Sequence, residues 1–184
     1  MKRNYVFLAT GFEEIEAIAT IDVLRRAGLE VTVVSILKDR LVTGANGVTV
    51  AADVVFEGAE FGDADFLIFP GGMPGATNLH DFAPINHLIA DHVARGGRIA
   101  SICASPAVVL APTGILRGKE ATCYPSFEGA LSQGGAHPRE ARVVVDGNII
   151  TANGPSSAIP FGLAIVKATA GESVAKDIAT GMLC

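Results

Sequence analysis

The feature that most restricts what this chain can fold into is a repeated switch between two hydrophobic periods. Tyr5–Ala9 is apolar at every position, the mark of a strand covered on both faces. Glu14–Ala27 then carries Ala17, Ile18, Ile21 and Leu24 at helical spacing, with Gly28 placed to end the helix. Glu30–Ile36, rich in β-branched valine, is the next strand. Strand, helix and strand in this order predict a right-handed crossover and parallel pairing.

The alternation continues. Phe66–Phe69 reads as a buried strand running into Pro70-Gly71-Gly72, and Pro84–Arg95 as a helix stopped by Gly96-Gly97. Arg98–Ile102 is a strand that meets Cys103 at once, with a helix expected from Pro106. Ala121–Cys123 is a short strand, and Ser157–Thr169 and Ser173–Leu183 are closing helices around Gly171. Two turn signals, Ala45-Asn46-Gly47 and Asp146-Gly147, predict tight hairpins added to the sheet. The fold class expected is α/β, a mostly parallel sheet with helices on both faces, in one domain over residues 1–184. A chain of 184 residues can bury such a core without disulfides or a structural metal.

Composition excludes several functions. The net charge of −5, with no basic block, argues against nucleic acid or an anionic membrane as the main partner. The apolar run after Met1-Lys2-Arg3-Asn4 is too short for a signal peptide, and no stretch is long enough to span a bilayer. Cys103, Cys123 and Cys184 are odd in number and widely spaced, which fits a reducing, cytoplasmic setting. Without CxxC and with four scattered histidines, the residues carry no metal constellation, and no cofactor is expected. His87 and His92 read as solvated surface.

In a sheet of this kind ligands bind outside the carboxyl ends of the strands, where three segments fall. Ala100-Ser101-Ile102-Cys103-Ala104-Ser105-Pro106 has the layout of a nucleophile elbow, with Pro106 opening a helix and Ser105 as its N-cap. The partial positive charge of that helix end would favour the Cys103 thiolate. A small cysteine that merely packs is the competing reading, and it is the better one for Cys123. Pro70–Gly75 is a glycine loop whose N–H groups could hold the oxygen of an adduct at Cys103, or could be a plain turn. It has neither the dinucleotide nor the P-loop spacing. In Gly11–Glu16, Glu13 and Glu14 read as acids serving the helix dipole, with Glu14 facing water. Glu16 points about 200° away from Glu14 and could face the sheet edge. There, burial beside a thiolate would raise its pKa and suit it to proton transfer. Asn153–Ser156 reads as a structural turn.

Together the strand-ending Pro70-Gly71-Gly72, the Cys103 elbow and Glu13-Glu14-Ile15-Glu16 resemble the ThiJ/PfpI family. The similarity runs over nearly the whole chain, including Ile21–Gly28, Gly75–Leu79 and Ala164–Val166. It is strongest to the branch containing the parkinsonism-associated protein deglycase and its bacterial relatives. The resemblance implies a flavodoxin-like three-layer sandwich and a homodimer. It implies Cys103 as an oxidisable nucleophile and Glu16 as its protonated partner. Gly71, Gly72 and Ala104 would supply backbone around the adduct, with the Gly72 N–H the leading donor, and Tyr124 would join the substrate site. The implied function is a cofactor-free glyoxalase or deglycase acting on methylglyoxal-type aldehydes or early glycation adducts. The alternative is a redox sensor or chaperone in which oxidation of Cys103 controls partner binding. Many members place a histidine where this chain has Tyr124, which weakens a Cys–His protease or amidase reading. Some place an arginine where this chain has Asn46, so arginine stabilisation of a sulfinate does not carry over.

Overall fold

A computed structural model describes residues 3–184. The first half runs β1 (Arg3–Leu8), α1 (Glu14–Arg26), β2 (Val31–Ser35), β3 (Leu41–Thr43), β4 (Thr49–Ala51), β5 (Val54–Val55) and β6 (Ala64–Phe69). Then come α2 (Gly75–Asp81), α3 (Ala83–Ala94), β7 (Arg98–Ile102), β8 (Glu120–Ala121), α4 (Glu128–Gln133) and β9 (His137–Pro138). The chain closes with β10 (Val143–Asp146), β11 (Ile149–Ala152), α5 (Ala158–Ala170) and α6 (Glu172–Gly181). Seven strands form the main sheet in the order β10-β11-β7-β6-β1-β2-β5. Every neighbouring pair is parallel except β10 with β11. This is the mostly parallel sheet with helices on both faces expected from the alternating pattern, in the flavodoxin-like form that the family resemblance implies.

Strand alternation divides the interior into two cores. Phe7, Leu67, Phe69 and Ile99 face α2, α3 and α4, where Leu79, Ile85, Ile89 and Leu131 meet them. Val6, Leu8, Ile68, Ala100 and Ile102 face α1, α5 and α6, against Ala17, Val23, Leu24, Phe161 and Ile165. Fully burying each of the larger of these side chains contributes about 1.5–3 kcal/mol, so both faces must be covered. The chain leaves β1 in one direction and β6 in the other, although the two strands pair directly. The crevice at their carboxyl ends is the switch point where such sheets bind ligands.

Several local elements depart from the sequence pattern. The β3–β4 hairpin stands apart as its own ribbon instead of extending the main sheet. Only Gly47 in its turn has positive φ (86°), so a type I′ turn does not form, and residues 44–48 make a longer loop. The helix expected from Pro106 is one π-helical turn, Pro106–Leu110, followed by a 3-10 turn at Ala111–Thr113. His92 is buried, not solvated; its Nε2 lies 3.1 Å from both the Asp65 and Arg98 carbonyl oxygens. Its ring fits only because residue 97 is glycine: a Cβ there would stand 2.3 Å from the imidazole.

Burial holds the His92 imidazole below its usual range around 6.5. Between that value and the lower folded one, the unfolded chain binds the extra proton. The His92 contribution to stability is therefore complete above pH 6.5 and falls as the pH drops through that window. Urea unfolding at pH 7 and pH 5 should show a smaller acid-induced loss of stability in His92→Gln than in the wild type.

Candidate functional site

The loops after β1, β6 and β7 converge at one edge of the sheet. Glu13 N–H donates to the Gly71 carbonyl at 2.9 Å, and Gly75 N–H donates to the Gly11 carbonyl at 3.1 Å, tying the first two loops together. The third carries Cys103, whose N–H donates to the Ala152 carbonyl (2.9 Å) and whose carbonyl accepts from Tyr124 N–H (2.8 Å). Held this way, Cys103 has φ +64°, in the left-handed region. That conformation costs a non-glycine residue about 1–3 kcal/mol and persists where the surroundings over-determine it. The elbow read from the sequence is therefore present, and Cys103 as a residue is buried, 9% exposed.

Two glycines let the loops close on each other. A Cβ on Gly71 would lie 2.6 Å from the Cys103 Cβ and 2.8 Å from Glu16 Oε2. Gly72 has φ +89°, and a Cβ there would lie 2.4 Å from Glu13 N. With no side chain in the way, Gly71 N–H donates to Glu16 Oε2 at 2.8 Å. The backbone N–H groups of Gly72 and Ala104 favour the ionised form of the Cys103 sulfur. Glu16 is completely buried, and its Oε1 has no partner among the described residues.

The electrostatics differ from the dipole argument made on the sequence. Burial pushes the Cys103 thiol up to about 12, helped by the charge of Glu16 and its contact with the sulfur; the Gly72 and Ala104 N–H groups pull the other way. Burial likewise pushes the Glu16 carboxyl up to about 7, against the contact with Cys103 and the Gly71 N–H, with Glu13 adding a further upward push. At neutral pH the thiol keeps its proton at rest. Were that proton to pass to the carboxyl, thiolate would form and the carboxyl would become a donor facing the sulfur. The turn after Cys103 is too short and irregular to offer the expected helix dipole.

The structure thus brings Cys103, Glu16, Gly71, Gly72 and Ala104 together. Tyr124 is joined through its backbone; its ring is 45% exposed and lies over Gly154, about 3.5 Å from where a Cβ would stand. Ser105 does not cap a helix. Its fully buried hydroxyl donates to the Pro70 carbonyl at 2.5 Å. Glu14 does not face water. It is buried, and its Oε1 accepts from Asn46 N–H at 2.7 Å while its Oε2 accepts from Asn46 Nδ2 at 2.9 Å. Burial pushes its carboxyl up, but the bonds from Asn46 and Val48 outweigh this and hold it below the usual carboxylate range. Neither role had a sequence signal, because each partner comes from a distant segment. Cys123 is buried in the opposite core, and Cys184 is exposed. Among the described residues no cluster of three or more His, Cys, Asp or Glu side chains could hold a metal ion, and no helix is long and apolar enough to cross a membrane. An open cleft of about 510 Å³ is lined by Asn4, Glu30, Asp65, Arg98 and Thr169, at the other end of the strands from the thiol.

A parallel sandwich that carries a strained cysteine at a strand end, faced by a buried carboxyl, defines a class of cysteine-elbow α/β proteins. Within it this chain belongs to the DJ-1/PfpI family, whose sequence model matches residues 2–168. It is 37% identical over 179 residues to the Parkinson disease protein 7 homolog of Danio rerio, covering 96% of this chain and 94% of that one. It is 36% identical over 159 residues to a Caenorhabditis elegans protein named glutathione-independent glyoxalase DJR-1.2, covering 86% and 83%. The solved structure of oxidized Toxoplasma gondii DJ-1 superimposes with a TM-score of 0.94 at 41% identity, covering 100% of this chain and 98% of that one. Membership in the DJ-1 branch follows from this full-length similarity.

The close approach at Gly71 makes a sharp test. Gly71→Ala should lower stability by about 1–3 kcal/mol through overpacking and separate Glu16 from Cys103. Denaturant unfolding and the rate of iodoacetamide addition at Cys103, followed by mass spectrometry, should both change. Gly129→Ala, within α4 where a Cβ would meet nothing within 4 Å, should leave the alkylation rate unchanged and raise stability by up to about 1 kcal/mol.

Proposed function

We propose that this chain, acting as one domain, is a cysteine-dependent, cofactor-free glyoxalase or deglycase for methylglyoxal-type aldehydes and early glycation adducts. The observation that carries the reading is the fully buried Glu16 carboxyl coupled to the Cys103 thiol. The relative named as a glyoxalase supports it.

In this mechanism the Cys103 thiol gives its proton to Glu16 as sulfur attacks the aldehyde carbon of methylglyoxal. The C–S bond forms, and the carbonyl pair becomes an alkoxide held by the Gly72 and Ala104 N–H groups. Glu16 returns the proton to that oxygen, giving a hemithioacetal. Transfer of the hydrogen on that carbon to the neighbouring ketone carbon, through an enediol, yields a 2-hydroxy thioester. Water cleaves the thioester, releasing a 2-hydroxy acid and restoring the thiol. The sum is one aldehyde plus one water to one hydroxy acid, with no outside oxidant. Tyr124 stands at the rim of the site, where its ring can cover a small substrate.

Glu16 must be a carboxylate to take the proton, so methylglyoxal consumption should rise with pH through about 7. Glu16→Gln should lose about 10²–10⁴-fold in rate and lack this inflection. Cys103→Ser should fall to background, and full activity in Cys103→Ser would exclude the mechanism.

The active form we propose is a homodimer in the cytoplasm, where the three free cysteines would stay reduced. Ile15 and Ile18 sit on the outer side of α1 and are 58% and 44% exposed, and Val48 on the neighbouring hairpin loop is 50% exposed. Glu14 ties that loop to the helix, so the three form one apolar face suited to a second copy. Sedimentation should give a dimer for the wild type and a monomer for Ile15→Glu/Ile18→Glu.

A further inference from the structure

Ser105 lies two residues beyond the thiol and takes no part in the chemistry described so far. Its hydroxyl is fully buried and donates to the Pro70 carbonyl at 2.5 Å. That carbonyl belongs to the peptide group whose other end is the Gly71 N–H, and this N–H donates to Glu16 Oε2 at 2.8 Å. One peptide plane is therefore gripped at both ends, by the serine on its oxygen and by the carboxylate on its nitrogen. Apart from the contact with the Cys103 thiol, this N–H is the donor Glu16 has, since Oε1 has no partner among the described residues. Gly71 offers little resistance to rotation of that plane by itself, because it lacks a Cβ.

We infer that Ser105 is a positioning residue: its hydroxyl locks the Pro70–Gly71 peptide with the N–H turned toward Glu16, and so sets how tightly that carboxyl holds its proton. This inference rests on the Cys103–Glu16 pairing, but not on any particular substrate. The second grip also polarises the peptide, so an N–H whose own carbonyl is hydrogen-bonded becomes a stronger donor. Without the serine hydroxyl one of the two grips on the plane is gone, the carboxylate's backbone donor is aimed less firmly, and the proton is held more strongly. The other groups that bear on Glu16 are the Cys103 thiol and the charge of Glu13, and neither contacts Ser105 by a hydrogen bond.

The test is a pH titration of the Glu16 side-chain carboxyl by carbon-13 NMR on the full-length protein. Ser105→Ala should move the midpoint to higher pH, with the ratio of protonated to ionised carboxyl at a given pH rising about tenfold. Ser105→Cys, close in size but a much weaker donor, should fall between Ala and wild type. It also reads the effect if the alanine variant does not fold. An unchanged Glu16 midpoint in either folded variant, even with a lower melting temperature, would reduce Ser105 to a packing role and overturn the inference. Methylglyoxal turnover is measured separately. A wild type without turnover would exclude the proposed reaction while leaving this titration free to succeed or fail.

Discussion

A carboxyl group shut away from water and pressed against a thiol is the constraint around which this site is arranged. Neither group would be stable there as an isolated charge, because burial alone disfavours each ionised form. In the mechanism we propose they exchange one proton, flanked by N–H groups from the loop after β6 and from the cysteine's own elbow. The surrounding structure can be understood as what is needed to bring three strand ends close enough for that exchange. The missing Cβ at Gly71 and the bonds between the Gly11–Glu13 and Gly71–Gly75 segments serve that approach.

The architecture was largely legible in the sequence because its signal is local. A strand buried on both faces must be apolar throughout, and the helices that cover it must carry a stripe. Tyr5–Ala9 and Phe66–Phe69 declared themselves in this way, Arg98–Ile102 by its place between the helix-ending glycines and Cys103, and each lies in or beside an observed strand. The elbow was legible too, since proline shortly after a strand-ending cysteine leaves few alternatives. Helices α2 and α4 escaped notice because they are short, with seven and six residues, and begin in segments rich in glycine or proline.

What the sequence concealed were polar contacts between distant segments. Glu14 looked like a surface acid at a helix start, yet it binds a hairpin loop more than thirty positions away. His92 looked like surface on a helix, but a glycine five residues later opens a space that its ring fills. Ser105 had the ideal position for a cap, but its hydroxyl found a carbonyl across the site. In each case the local preference was real and was outcompeted by a partner that only the tertiary arrangement supplies. The ionisation of Cys103 was misjudged for the same reason: a nearby helix end was visible in the sequence, whereas the depth of burial was not.

The backbone torsion at Cys103 has a consequence of its own. Glycine would adopt the same left-handed geometry without strain, so this corner of the molecule would relax if the whole side chain, Cβ included, were removed. Pressure toward a sturdier fold and pressure toward a reactive one therefore pull in opposite directions at a single codon. A lineage no longer needing the thiol would have a short downhill route to losing it, while leaving the sandwich intact.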